Sequence, residues 1–455
     1  MPMAISKAAQ PQFNPYGDDD PLPLGTGGAW PAPTATGQLR ATLELPGSKS
    51  LTNRELVLAA LANGPSLLRA PLHSRDTALM IEALRTLGAS IVEVPGTGKF
   101  GADLLVTPGE LFGGSIDCGL AGTVMRFIPP LAALALGPVA FDGDPAARKR
   151  PMRVTIDALR ALGVDVSDDG RGALPFSLYG TGAVEGGEIE IDASASSQFV
   201  SGLLMAAPRF TNGLRLRHTG ERLPSLPHIE MTTACLTARG VTVENPEPGL
   251  WVVAPGEIQA LDVDIEPDLS NAAPFLAAAL VVGGSVTIEG WPDATTQVGA
   301  DLEHLLPRFG ATVTHSAHSL TVTGGGVITG VDLDLSTGGE LAPALVALAA
   351  LADGPSRITG IGHLRGHESD RLAALAADLN GLGGAVTELD DGLAIEPRPL
   401  TGGGWGAYED HRMATAGAII GLVTPGVEVD DITTTAKTLP QFPELWKSML
   451  GTGEL

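Results

Sequence analysis

The sequence is poor in cysteine, in lysine and in positive charge, and each shortage excludes something. Its 455 residues hold two cysteines, Cys118 and Cys235. These cannot form a disulfide framework, nor a zinc site without several histidines beside them, so a reducing cytoplasm is the expected compartment. His304, His315, His318, His363 and His367 lack metal-ligand spacing. His363 and His367 stand four apart with no evident third ligand, and no metal is expected. No apolar run reaches about 18 residues, so no membrane helix is expected. The first residues show no basic–apolar–small signal pattern; residues 1–27 form a Pro/Gly/Asp-rich tail expected to be disordered. The net charge of −24 argues against nucleic acid as the main partner. Lysine occurs only at Lys7, Lys49, Lys99, Lys149, Lys437 and Lys447, so a lysine inside a motif carries more information than usual.

What is present is a chain able to fold. Hydrophobic residues make up 44% and charged residues 18%, enough for a sizeable core. The length suits three domains or two large ones. One fragment recurs: an apolar helical stretch, a glycine, then a short β-branched run. It reads IEALRTLGASIVEV, IDALRALGVDVSDD, TACLTARGVTVENP, EHLLPRFGATVTHS and LAADLNGLGGAVTEL, with Gly88, Gly163, Gly240, Gly310 and Gly384 as the recurring glycines. A weaker sixth copy, LWKSMLG, ends at Gly451. In each, a helix stops at a glycine that accepts the left-handed conformation, and an alternating strand follows. A period near 70 residues is too long for solenoid repeats. It suits a compact α/β module, and six modules suggest two domains of three.

A second set of helices begins at unusual sequences: GSKSLTNRELVLAALANG, GLAGTVMRFIPPLAAL, SASSQFVSGLLMAAP, ELAPALVALAALADG, HESDRLAALAADL and YEDHRMATAGAIIGL. Lys49, Arg126, Arg371 and Arg412 lie near the starts of four of them. A helix N-terminus is already positive, so each cation there costs about 0.3–1 kcal/mol. Surface bridges to nearby carboxylates are one resolution. The better one for several helices together is an anion held by N–H groups, hydroxyls and guanidinium forks. The PGSKS segment is not a P-loop, since the required glycines are missing. G-x-S-x-G and H-E-x-x-H are absent as well. A nucleotide-dependent phosphotransferase is therefore disfavoured.

The segments LPGSKSLTNRELVLAALA, GLAGTVMRF, GDPAARKRP, DASASSQFVSGLLMAAP, LRGHESDRLAALAADLNGLGGAV, YEDHRMATAGAIIGL and TTAKTLPQFPELW occur in the order of the 5-enolpyruvylshikimate-3-phosphate (EPSP) synthase motifs. The chain resembles that family over roughly residues 30–450, in its class I, actinobacterial-like form. The resemblance implies an α/β, two-domain enolpyruvyl transferase fold. Each domain would hold three βαβαββ-like repeats in an inside-out α/β barrel. One domain would span 28–47 plus 266–455 and the other 48–265, hinged near Pro46–Gly47 and Ile265–Glu266. The implied reaction moves the enolpyruvyl group of phosphoenolpyruvate to the 5-hydroxyl of shikimate 3-phosphate and releases phosphate. It needs no cofactor, and the expected partners are these two small molecules, with the protein a monomer.

By motif, Lys49, Ser50, Arg54, Ser196, Ser197, Gln198, Ser225, Glu340 and His367 would bind shikimate 3-phosphate. Lys49, Gly122, Arg150, Gln198, Arg371, Arg412 and Lys437 would bind phosphoenolpyruvate, in the pocket where the family binds glyphosate. Glu340 would act as base and Glu368 as general acid, with Lys49, Lys437 and His411 assisting proton transfer. Glu340 stands where most members carry Asp, His367 where many have Lys, His363 where many have Asn, and Leu120 where Asn is common. Two alternatives remain. One is the related transferase acting on UDP-N-acetylglucosamine, which typically carries a Cys, sometimes an Asp, in the loop matching residues 143–151, where this chain has no Cys and Asp144 lies near the start. The other is a non-catalytic anion-binding protein on the same scaffold.

Overall fold

The computed structural model describes residues 28–96, 98–366 and 368–451. The expected tail over 1–27, and His367, lie outside the described residues. Among those described, five four-stranded sheets and one three-stranded sheet are flanked by helices. The unit is strand–helix–strand–helix–hairpin. Strand Phe112–Asp117 leads through helix Gly122–Ala132 to the parallel strand Leu136–Asp142. Helix Arg153–Ala161 then leads to the hairpin of Asp165–Ser167 and Phe176–Thr181. The same sheet order recurs behind the leading strands Gly187–Ile191, Val263–Asp264, Leu39–Leu43 and Asp332–Asp334. The mixed α/β architecture of repeated βαβαββ units is thus present.

Four of the repeat glycines end their helices as expected: Gly88, Gly163, Gly240 and Gly310 have φ of 115°, 83°, 79° and 98°. The fifth expectation was one residue out. Gly383, not Gly384, takes the left-handed conformation, at φ 93°. In the run Leu382-Gly383-Gly384 either glycine tolerates it, and the register of helix Arg371–Gly381 selects the first. The sixth unit is weak for a structural reason. Its sheet pairs Gly403–Trp405 with Val427–Val429, but the third strand is Trp30–Pro31 from the other end of the chain. No hairpin follows helix Phe442–Met449 among the described residues, so the glycine-then-strand signature is missing there.

Two apolar cores form. One gathers buried residues between Leu56 and Ile258; the other gathers Ala32, Leu39, Leu43 and Leu45 with residues from Leu269 to Met449. Two leading strands are displaced in sequence. Val263–Asp264 pairs with Ser66–Arg69, and Leu39–Leu43 pairs with Gly284–Glu289. The chain therefore passes between the cores twice, and the two passages are stitched together. Gly47 bridges Pro267, the Ser48 amide donates to Glu266 O (2.7 Å), and the Asp268 amide donates to Pro46 O (2.9 Å).

Candidate active site

The cleft is built from helix starts. Ser48 caps helix Lys49–Leu61, Asp268 caps Leu269–Val282 and Asp410 caps His411–Gly421, each by accepting a backbone N–H. These caps satisfy donors that the helix itself leaves open. The residues just beyond them meet in one hollow. Lys49, Ser50 and His228 from one half face Asp268, Ser270, Glu340 and Arg412 from the other. The main-chain N–H of Lys49 also donates to Asp268 Oδ2 across the two passages (3.1 Å).

In the half built on the first core, Lys49 Nζ lies 3.5 Å from Asp76 Oδ2, but two further cations lack acidic partners. Among the described residues no carboxylate lies within 4.0 Å of Arg126 or Arg150. Arg126 Nη1 donates to Gln198 Oε1 (2.9 Å), its Nε has no partner, and its guanidinium lies over Phe199. Arg150 Nη1 reaches only Leu120 O (3.3 Å). A methyl on Gly122 would stand 3.0 Å from Arg126 Nη1 and from both Nη atoms of Arg150. Gly122 therefore lies beneath a converging pair of buried guanidiniums. Two like charges converging on one point repel. Burial pulls the Arg126 guanidinium well below its ordinary value, and Arg150 adds to the effect against the pull of Glu368. Helix packing sets the geometry: an added methyl at Gly202 would run into the Arg126 carbonyl, so only glycine lets Gln198–Ala206 lie this close.

In the half built on the second core, the cleft cations Arg371, Arg412 and Lys437 each have an acid nearby. Arg371 grips Asp410 with two nitrogens (2.7 and 3.1 Å) and reaches Glu368 Oε2 (3.2 Å). Lys437 Nζ donates to Glu368 Oε1 (2.8 Å), and Arg412 Nη2 lies 3.8 Å from Glu340 Oε1. Glu368 is thus held between two cations. Glu340 accepts from Ser270 Oγ and lies 2.6 Å from His228 Nε2 of the opposite half. Burial acts to raise the Glu340 carboxyl, but His228, Arg412 and Ser270 outweigh it and hold it well below the usual carboxylate range. His411 is buried, and neither ring nitrogen has a hydrogen-bond partner. Burial, with Arg412, Lys49 and Lys437 nearby, pushes it far down and keeps the imidazole neutral.

The remaining expected residues divide. Gln198 joins the Arg126 site directly. Ser197 makes no capping bond, while Ser196 Oγ accepts the Gln198 N–H (3.3 Å). Ser225 sits in the left-handed conformation (φ 53°) at the start of helix Leu226–Ala238, beside Ser336 of the other half. Arg54 lies behind Ser50 and His228. It is buried, and its nitrogens are spent on Thr232 Oγ1 (2.7 Å), Ser50 O (2.8 Å) and His228 O (2.9 Å), with burial lowering it to about 10. It braces the site from behind. Residues the sequence reading left out are His228, Asp410 and, as a site residue, Arg126. His228 stands three residues after Ser225, Asp410 directly precedes His411, and Arg126 carried the helix-start signal. No group of three or more His, Cys, Asp or Glu side chains able to hold a metal occurs among the described residues.

Comparison with known proteins places this architecture first. The fold matches solved enolpyruvyl transferase structures. These include EPSP synthase from Acinetobacter baumannii, with a TM-score of 0.75 and 23% identity over 91% of this chain and 97% of that one. They also include the enolpyruvyl transferase NikO from Streptomyces tendae, with a TM-score of 0.72 and 18% identity over 91% and 96%. At such identities they speak for fold alone. The sequence goes further. The family profile of EPSP synthase (3-phosphoshikimate 1-carboxyvinyltransferase) matches residues 33–446. A curated 3-phosphoshikimate 1-carboxyvinyltransferase from Kocuria rhizophila is 60% identical over 429 residues, covering 93% of this chain and 96% of that protein. The chain belongs to the EPSP synthase family.

Proposed function

We propose that phosphoenolpyruvate and shikimate 3-phosphate meet in the cleft between the two cores, for the reaction of this family. The enolpyruvyl group passes to the 5-hydroxyl of shikimate 3-phosphate, giving 5-enolpyruvylshikimate 3-phosphate and phosphate, a step of aromatic amino acid biosynthesis. The observation that carries this reading is the pair of carboxylate-free guanidiniums, Arg126 and Arg150, above the Gly122 backbone. A phosphate there relieves their mutual repulsion and takes up bidentate bonds. Arg371, Arg412 and Lys437 hold the carboxylate side of phosphoenolpyruvate, and Lys49 touches both substrates.

Shikimate 3-phosphate lies against Ser50, Ser196, Ser197, Gln198 and Ser225. Glu340, kept ionised, takes the 5-hydroxyl proton as the oxygen bonds to C2 of phosphoenolpyruvate. Glu368, between Arg371 and Lys437, supplies the proton to the methylene carbon and takes it back as phosphate leaves. His411, buried and flanked by cations, has both ring nitrogens open to assist proton transfer. The segments 28–47 plus 266–455 and 48–265 act as two domains, hinged at the paired passages through Gly47 and Pro267. The protein works as a cytoplasmic monomer; its two cysteines are buried and unpaired, which suits a reducing compartment. The test is phosphate release on mixing both substrates, repeated with each omitted and with UDP-N-acetylglucosamine as acceptor. Release only with shikimate 3-phosphate and phosphoenolpyruvate together is expected. Release with UDP-N-acetylglucosamine instead, or none at all, would overturn the reading.

A further inference from the structure

Glu340 reaches across the cleft. On its own side Ser270 Oγ donates to Oε1 and Arg412 Nη2 lies 3.8 Å away, while Oε2 faces His228 Nε2 of the opposite half at 2.6 Å. At that separation the ring nitrogen and the carboxylate oxygen are hydrogen-bonded. An aspartate, one methylene shorter, would not span the same gap from the same backbone. The glutamate and the histidine therefore form a matched pair.

His228 is also fixed from behind. It lies in the first turn of Leu226–Ala238, which starts from the left-handed Ser225. Its carbonyl accepts from Arg54 Nη2 (2.9 Å) and from Thr232 Oγ1 (2.9 Å). Thr232 in turn is held by Arg54 Nε (2.7 Å). The buried guanidinium thus anchors the backbone that presents the imidazole. The ring keeps only 16% of its side-chain surface, as does Glu340, and both line the hollow shared with Lys49 and Ser50.

We propose that His228 is a positioning residue for Glu340: it crosses from the opposite half when the two close and fixes the carboxylate oxygen that receives the substrate hydroxyl proton. The inference rests on the reading of Glu340 as the base. The chemical step is unchanged. The 5-oxygen forms its bond to C2 of phosphoenolpyruvate, its O–H bond breaks, and the proton goes to Glu340. His228 supplies orientation, and because it belongs to the other half, the base is aligned only in the closed arrangement.

The test is steady-state phosphate release by purified full-length His228→Ala, His228→Gln, Glu340→Asp and the double variant His228→Ala/Glu340→Asp, with melting temperature as the check on folding. His228→Ala is expected to lower kcat about 10- to 100-fold while KM for shikimate 3-phosphate stays within about threefold, the pattern of lost alignment. His228→Gln keeps a donor near the Nε2 position and is expected to recover most of the loss. Glu340→Asp should cost far less in the His228→Ala background than alone, the mark of coupled residues. Should His228→Ala fail to fold, His228→Leu, which fills the space without a donor, combined with Glu340→Asp carries the same comparison. A raised KM for shikimate 3-phosphate with unchanged kcat would place the ring on substrate and overturn the inference. Additive effects of the two substitutions would do the same. A wild-type protein without phosphate release would sink the functional reading instead, so the two failures are distinguishable.

Discussion

The two halves bring opposite electrostatics to the same cleft. The half on the first core offers Arg126 and Arg150, with no carboxylate within 4.0 Å of either among the described residues, beside a Lys49 that lies 3.5 Å from Asp76. The half on the second core offers Arg371, Arg412 and Lys437, each already against Asp410, Glu368 or Glu340. A buried cation without an acid is expensive unless a ligand completes it, and under the proposed reading the first half takes the anion. A carboxylate between cations has its charged form favoured, and under the same reading the second half carries the proton transfers. A single uniform rule, positive helix starts awaiting anions, describes Arg126 but not Lys49, which on the same half already lies 3.5 Å from Asp76. On the second half, the bridging carboxylates that local electrostatics calls for are present.

The largest expected effect breaks the comparison at Glu368. Glu368→Gln removes the acid from between Arg371 and Lys437, and kcat should fall about 10²- to 10⁴-fold with the fold intact by circular dichroism. A kcat loss below tenfold would make Glu368 a brace rather than an acid. Next comes the bare half. Arg150→Gln should lower kcat/KM for phosphoenolpyruvate about 10- to 100-fold, the worth of a charge-assisted bond, and leave KM for shikimate 3-phosphate nearly unchanged. Equal effects on both substrates would erase the division of labour.

Gly122→Ala puts a methyl 3.0 Å from three guanidinium nitrogens, which must then give way. We expect KM for phosphoenolpyruvate to rise several-fold and glyphosate inhibition to weaken in parallel; unchanged values for both would place the anion elsewhere. The smallest effect concerns a carboxylate away from the cleft. Burial raises Asp378 to about 6, against hydrogen bonds from Tyr408 Oη and the Gly406 amide. A raised folded pKa favours the protonated form. Its contribution to stability is complete below the unfolded value and lost as pH rises through about 6. Asp378→Asn should therefore raise the melting temperature at pH 8 and make little difference at pH 4. The opposite order would contradict that sign.

Much of this was legible in the sequence because it is local. A glycine that ends a helix before a strand leaves its mark within a dozen residues, so the repeat showed through five times. The exchange of leading strands left no local mark, because Leu39–Leu43 and Val263–Asp264 look alike whichever sheet they join. The sixth unit was faint because its closing strand comes from Trp30–Pro31. At the site, cations at helix starts announced themselves against a strong local preference. Their partners did not: Asp410 reads as an ordinary cap, and His228 as an ordinary first-turn residue. The contact between His228 and Glu340 joins positions 112 residues apart. Only the extra methylene of Glu340 hinted that something lay further away to be reached.

The most direct test of the division between the halves is a crystal structure grown with phosphoenolpyruvate and shikimate 3-phosphate, or with inorganic phosphate in place of the first. The account predicts a phosphate over Gly122, held jointly by Arg126 and Arg150, with Glu368 and Lys437 facing it from the opposite half. A phosphate bound only on the second half, with Arg126 and Arg150 left bare, would contradict it.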